Sequence, residues 1–246
     1  MSELLYADIG RMTYEQIDVI QRRVVEEVKA SDEDRSYLLL GEHDPPAIDM
    51  GKHTRHCHIT MTAEQLAAKG IRVHESNRGG DVTYHGPGEL IAASILRLDL
   101  HGASGRGYMR MLEEVSIRVV ARYGITAGRK AGFPGAWVGN DKIAAVGVAI
   151  NDRVTYFGFA INVSPNLEHF GYIVPCGLHD KGVTSIEREI GRPVPVADVK
   201  PIVVECMVAV FGFDGSRQVQ LRAGSGAFSG RSERGPDPLS SSGQAR

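Results

Sequence analysis

The sequence predicts an α+β fold, a mixed and largely antiparallel sheet flanked by helices, and three observations carry that prediction. Thr13 with Gln16 and Thr62 with Gln65 are reciprocal helix-start signatures. Short apolar runs of strand length lie between and after them. In the middle of the chain three such runs are separated only by Gly139-Asn140-Asp141 and Asn151-Asp152, which is the turn chemistry of an antiparallel meander.

Taken in order, Leu4-Leu5-Tyr6 reads as a short strand, and the Thr13 signature opens a helix to about Ala30. Ile17, Ile20, Val24 and Val28 keep helical spacing and mark its packing face. Tyr37-Leu38-Leu39-Leu40-Gly41 is a buried strand, and His43-Asp44-Pro45-Pro46 turns the chain. The second helix is short and closes at Gly70. Leu90 to Leu96 is almost continuously apolar, as a strand covered on both faces would be. A helix from Arg106 to Tyr123 ends before Gly124. Its Arg106, Arg110, Arg118 and Arg122, followed by Arg129-Lys130, make a candidate basic surface for an acidic partner. The meander runs through Ala136-Trp137-Val138, Lys142 to Ile150 and Val154 to Val163. Thr184 with Glu187 is a third helix-start signature. The last helix spans Val199 to Phe211 and accommodates Pro201 only in its first turn. Residues 1–213 are therefore expected to form one domain, and 214–246, rich in Gly, Ser, Pro and Arg, a disordered tail.

Composition excludes several classes. With 246 residues, 42% of them hydrophobic, the chain can bury a full core. A net charge of −2 does not fit a general nucleic-acid binder. The three cysteines, Cys57, Cys176 and Cys206, are odd in number and far apart, so a disulfide framework is not expected. MSELLYADIGRMTYEQ has neither the basic segment nor the apolar stretch of a signal peptide, and no run reaches transmembrane length. The expectation is a cytoplasmic protein with no membrane association. His53-Thr54-Arg55-His56-Cys57-His58 is rich in potential ligands, but no second Cys or His pair of zinc-site spacing follows, so no metal is expected.

Three stretches carry candidate chemistry. Ile173-Val174-Pro175-Cys176-Gly177-Leu178 presents a cysteine between a proline that fixes φ and a glycine that permits a sharp turn. Such a cysteine is either a nucleophile or a small buried hydrophobe, and the hexapeptide alone leaves both readings open. Asn77 to Leu90 contains four glycines and a proline, which disfavours a helix and leaves bare backbone able to lie against a ligand. Arg78, Thr83, Tyr84 and His85 would add donors and an aromatic wall; the alternative is a glycine-rich hairpin. Lys142 begins the middle strand of the meander, where a lysine is normally solvated. Pointed into an apolar cleft, it would serve as a base or orient a thiolate.

Taken together, Arg78-Gly79-Gly80-Asp81-Val82-Thr83-Tyr84-His85-Gly86-Pro87-Gly88, Lys142-Ile143-Ala144-Ala145-Val146-Gly147, Gly158-Phe159-Ala160-Ile161-Asn162 and Pro175-Cys176-Gly177 resemble the lipoyl(octanoyl) transferase family in order and spacing. The resemblance covers about residues 1–213. It implies a biotin/lipoate protein ligase-like catalytic domain that moves an octanoyl group from acyl carrier protein to a lysine of lipoyl domains. The acceptors would be 2-oxoacid dehydrogenase E2 subunits and the glycine cleavage H protein. By position it makes Cys176 the acyl-thioester nucleophile and Lys142 the residue that lowers its pKa. Residues 78–85, Ala145, Val146, Gly147, Gly158, Phe159 and Ala160 fall on its substrate-binding segments. Two positions depart from the pattern: Phe157 stands where relatives commonly have histidine, and Glu89 where glutamine is frequent.

Transfer between thioesters costs little, so the resemblance implies neither ATP nor any other cofactor. Two alternatives make different demands. A lipoate-protein ligase would require ATP, and a non-catalytic carrier-protein binding module would keep the cleft without turnover.

Overall fold

Thr13 and Thr62 each start a helix by the reciprocal arrangement that the sequence predicts. Thr13 Oγ1 accepts from Gln16 N at 3.3 Å while Gln16 Oε1 accepts from Thr13 N at 3.0 Å. The Thr62–Gln65 pair repeats this at 3.3 and 2.8 Å. The computed structural model describes residues 2–31, 33–174 and 182–221. Its elements run β1 (Glu3–Met12), α1 (Tyr14–Ala30), β2 (Ser36–His43), β3 (Ala47–Met50), α2 (Ala63–Ala68), β4 (Arg72–Glu75), β5 (Thr83–His85), β6 (Glu89–Ile95) and α3 (Gly105–Ala121). They continue with β7 (Gly128–Lys130), β8 (Phe133–Val138), β9 (Asp141–Asn151), β10 (Val154–Asn162), β11 (Gly182–Val183), α4 (Ile186–Ile190), α5 (Val196–Phe211) and β12 (Gly215–Gln218).

The large sheet has the order β12-β1-β2-β6-β10-β9-β8-β7, with β11 added on β9. β1, β2 and β12 are mutually parallel, because α1 carries the chain across the sheet between β1 and β2. From β2 to β7 every pair is antiparallel. The sheet is therefore mixed, and the meander is part of its antiparallel section. The β9–β10 connection turns on Asp152 and Arg153, both with positive φ, one residue later than the sequence suggests.

Each face of the sheet carries a core. Leu90, Ala92, Phe159 and Ile161 pack under α3 and α5 with Leu112, Val115, Val203 and Met207. On the opposite face Ala93, Ile95 and Tyr156 meet Ile17, Val24, Val25 and Val28 of α1. A second sheet, β4-β3-β5, stands apart with its own small core around Ile48, Leu66, Ile71 and Tyr84.

Several expectations are corrected. The domain does not end at residue 213, because β12 pairs with β1 from Gly215 to Gln218 and Val219 N bonds Tyr6 O at 2.8 Å. The remainder of the expected tail, from 222 onward, lies outside the described residues. Helix α4 is capped by Ser185, whose hydroxyl accepts from Arg188 N, and Glu187 N is taken by Val163 O instead. Helix α5 begins at Val196, which places Pro201 beyond its first turn. The carbonyl four residues back, on exposed Ala197, can turn to water for its missing donor. Among the described residues, no helix is long and apolar enough to cross a membrane.

Candidate active site

A cavity of about 720 Å³ lies between the large sheet, α1 and the 78–85 segment, within the ordinary size range of small-molecule sites. Its sheet side is built from Ile91, Ala93, Ala145, Gly147, Gly158 and Ala160, a smooth surface of mostly small residues. Gly147 is small for a reason: a Cβ there would meet Arg78 Cδ at 3.2 Å. Gly158 adopts φ +155, and a Cβ would collide with Ala92 O across the β6–β10 ladder.

Lys142 stands at one end of this cavity through a break in strand alternation. On β9, Ala145 and Gly147 face the cavity while Ala144, Val146 and Val148 contact the core under α3. Strict alternation would then send Lys142 into that core. The register between β8 and β9 shifts at Ala136/Trp137, and Ile143 and Ala144, consecutive in sequence, both enter the core. Lys142 is thereby turned to the cavity, the re-aiming that a bulge performs. Its Nζ lies 4.9 Å from the centre of the Trp137 ring, whose face attracts cations.

The end of β9 is pinned as well. Asn162, 4% exposed, donates through Nδ2 to Thr184 O at 2.9 Å and to Lys142 O at 3.4 Å. Thr184 N donates to Lys142 O at 3.0 Å, and β11 pairs Val183 with Lys142. Upstream of the cysteine motif, Val174 N bonds His58 O at 2.8 Å. Val174 and Gly182, the described residues on either side of 175–181, both line the cavity. Cys176 itself lies outside the described residues.

The opposite wall is polar. Arg78 is 7% exposed, and its Nε donates to Asp49 Oδ2 at 2.5 Å while Nη2 donates to Asp49 O at 2.8 Å. His85 Nδ1 lies 2.7 Å from Glu89 Oε2, within hydrogen-bond distance. Aromatic rings continue from it: His43 lies 5.2 Å from His85, Tyr14 stacks on His43 at 5.1 Å, and His74 stacks on Tyr14 at 4.3 Å. Burial, then the neighbouring His85 and His74, hold the His43 imidazole well below its ordinary pKa. Burial likewise pushes the Tyr14 phenol up, with Asp49 adding to the shift.

A model of the lipoyl protein ligase A/B catalytic domain family matches residues 14–208. The chain belongs to this family. It is 43% identical to an octanoyltransferase of Chloroflexus aggregans over 86% of this chain and 96% of that protein. It is 36% identical to an octanoyltransferase of Desulforamulus reducens, over 86% and 92% respectively. Among solved structures it resembles a lipoate-protein ligase A bound with ATP, with TM-score 0.71 and 14% identity over 89% of each chain. A putative lipoate protein ligase of T. acidophilum with bound lipoic acid gives 0.68 and 14% over 89% of this chain and 90% of that one. These two likenesses establish the ligase-type fold alone.

The segments that resemble the family's motifs converge here. Lys142, Arg78, Gly79, Gly80, Asp81, Val82, Thr83, His85, Ala145, Val146, Gly147, Gly158, Phe159 and Ala160 all border the one cavity, although the Phe159 ring packs in the core under α3. Tyr84 does not border it, which corrects the expected aromatic wall. Strand alternation on β5 turns its ring away, 1% exposed, onto Phe170, with its hydroxyl 2.9 Å from His169 Nδ1. The basic surface on α3 is partly neutralised. Arg110 and Arg129 pair with Glu113, Arg118 and Arg129 with Glu114, and Arg122 with Glu205, so three carboxylates reduce the positive charge of this surface without cancelling it. In the histidine-rich segment, His58 Nδ1 pairs with Asp81 at 2.6 Å and Cys57 is exposed. Sequence reasoning missed Gln21, Tyr14 and Asp49 and gave Asn162 and His43 no role in the site, because their meeting depends on contacts between distant segments.

Proposed function

We propose that the chain transfers an octanoyl group from octanoyl-acyl carrier protein, through a thioester on Cys176, to the lysine of lipoyl domains. The acceptors are those of 2-oxoacid dehydrogenase E2 subunits and of the glycine cleavage H protein, in the cytoplasm, and neither ATP nor another cofactor takes part. The observation that carries this reading is the re-aimed Lys142 at the end of a cavity floored by small residues. The flanks of the Pro175-Cys176-Gly177 motif border the same cavity. Relatives named octanoyltransferase at 36–43% identity support it.

In this mechanism Lys142 takes the Cys176 proton, and the thiolate sulfur attacks the donor carbonyl. The donor C–S bond breaks, and the departing thiolate recovers the proton from the Lys142 ammonium. The acceptor amine then attacks the Cys176 thioester, its proton passes through Lys142 to the cysteine sulfur, and an amide is released. At about 0.8 kcal/mol per buried CH₂, the acyl chain contributes several kcal/mol of binding against the floor of the cavity.

The test supplies a purified lipoyl domain with octanoyl-acyl carrier protein and no ATP. Octanoylated acceptor is the expected product. Labelling that occurs only from free octanoate with ATP would make the chain a ligase, and no labelling from either donor would leave a binding module.

A further inference from the structure

Phe157 breaks the alternation of β10 as Lys142 breaks that of β9, at the far end of the same cavity. Gly158 and Ala160 line the cavity and Tyr156 packs with the α1 core, whereas Phe159 and Ile161 enter the opposite core. By parity Phe157 belongs with Phe159. Its φ of +60, a conformation that bulky L-residues avoid, turns it over instead, and its ring lines the cavity and packs against the α1 core. Stacking of Tyr156 on Phe157 at 4.9 Å and 27°, between consecutive strand residues, reports the same reversal.

The reversal has its own support. Phe157 N, turned away from β6, donates to Gln21 Oε1 at 2.9 Å, and Gln21 is 4% exposed on the buried face of α1. A polar side chain so deeply placed satisfies a backbone donor that the sheet leaves out.

Phe157 pairs with Val148, six residues along β9 from Lys142, which places the two about 20 Å apart along the strand. Extended lysine and phenylalanine side chains can each take up about 5–6 Å of that span. The seven C–C bonds of an octanoyl chain, laid zigzag at about 1.5 Å each, reach about 9 Å. We propose that Phe157 is the stop that sets the longest acyl chain the cavity accepts, and that Gln21 is the positioning residue holding it in the cavity. This rests on the octanoyl-transfer reading for the identity of the ligand.

The experiment compares wild type with Phe157→Gly and Gln21→Met. Phe157→Gly removes the stop at a positive φ that glycine adopts freely. Affinity for free alkanoic acids of six to fourteen carbons is measured by titration calorimetry, and transfer is measured from octanoyl- and dodecanoyl-acyl carrier protein. In wild type, affinity falls beyond about ten carbons. In Phe157→Gly the dodecanoyl-to-octanoyl ratio of kcat/KM rises at least tenfold, and in Gln21→Met it rises by a smaller factor. A ratio within twofold of wild type in Phe157→Gly overturns the stop, and an unchanged ratio in Gln21→Met overturns the positioning role. If the binding cut-off moves to longer acids in Phe157→Gly while no variant or wild type transfers any acyl group, the stop stands and the transferase reading fails.

Discussion

Arg78 and Asp49 are both withdrawn from water, at 7% and 1% exposure, and each compensates the charge of the other. Removing one partner of a buried pair leaves the second charge stranded, at about 3–5 kcal/mol. Arg78→Ala is therefore expected to lower unfolding stability by that amount as well as activity, which urea titration would reveal; a loss of activity alone would make Arg78 a ligand contact without a structural role. His43 gives a pH prediction. In the unfolded chain its imidazole titrates near 6.5, whereas in the fold burial keeps it neutral to well below that value. As pH falls below 6.5 the unfolded state takes up the proton first, so its contribution to stability is complete above 6.5 and is lost progressively below it. His43→Gln is expected to flatten the fall in stability between pH 7 and 5, and an unaltered slope would refute this. Lys142→Ala is expected to move the pH–rate profile of acyl-enzyme formation upward, since the thiol must then ionise without its base; an unchanged profile removes Lys142 from the dyad.

Elements divide into those written locally and those written by their partners. Helices α1 and α2 are legible because a capping box lies within four consecutive residues. Thr13→Ala is expected to cost about 1 kcal/mol in thermal unfolding, with α1 and hence Gln21 affected first. The start of α4 is misread by one residue because Thr184 and Ser185 both offer a hydroxyl, and only the Glu187–Val163 contact selects between them. The two reversals that build the site, at Lys142 and Phe157, are illegible in their own strands. The first depends on the register of Trp137 and Ala136 across β8, the second on a glutamine 136 residues away. Gly158→Ala tests how closely β6 and β10 are fitted. With φ at +155 and Ala92 O in the way, it is expected to cost about 1–3 kcal/mol or more, whereas near-neutrality would show that the ladder can shift.

At the scale of the whole molecule, the α+β class and the meander follow from turn residues and apolar runs, but the parallel half of the sheet does not. β12 is four residues, Gly215–Gln218, with no apolar pattern, and it acquires its place only by pairing with β1 from the other end of the chain. The candidate site is legible to the extent that its motifs are contiguous: the 78–85 segment, the start of β9 and Gly158 to Ala160 meet at one cavity. The polar wall of Tyr14, His43 and Asp49 is not, because each residue comes from a different element and has a local reading as helix start, turn or strand. The central claim, acyl transfer through Cys176 assisted by Lys142, is tested most directly by intact-protein mass spectrometry with peptide mapping. The protein is mixed with octanoyl-acyl carrier protein in the absence of ATP, then chased with a lipoyl domain. The account predicts one octanoyl adduct on the Cys176 peptide that disappears as the acceptor lysine gains it. Acceptor labelling with an unmodified Cys176 throughout, undiminished in Cys176→Ser, would contradict it.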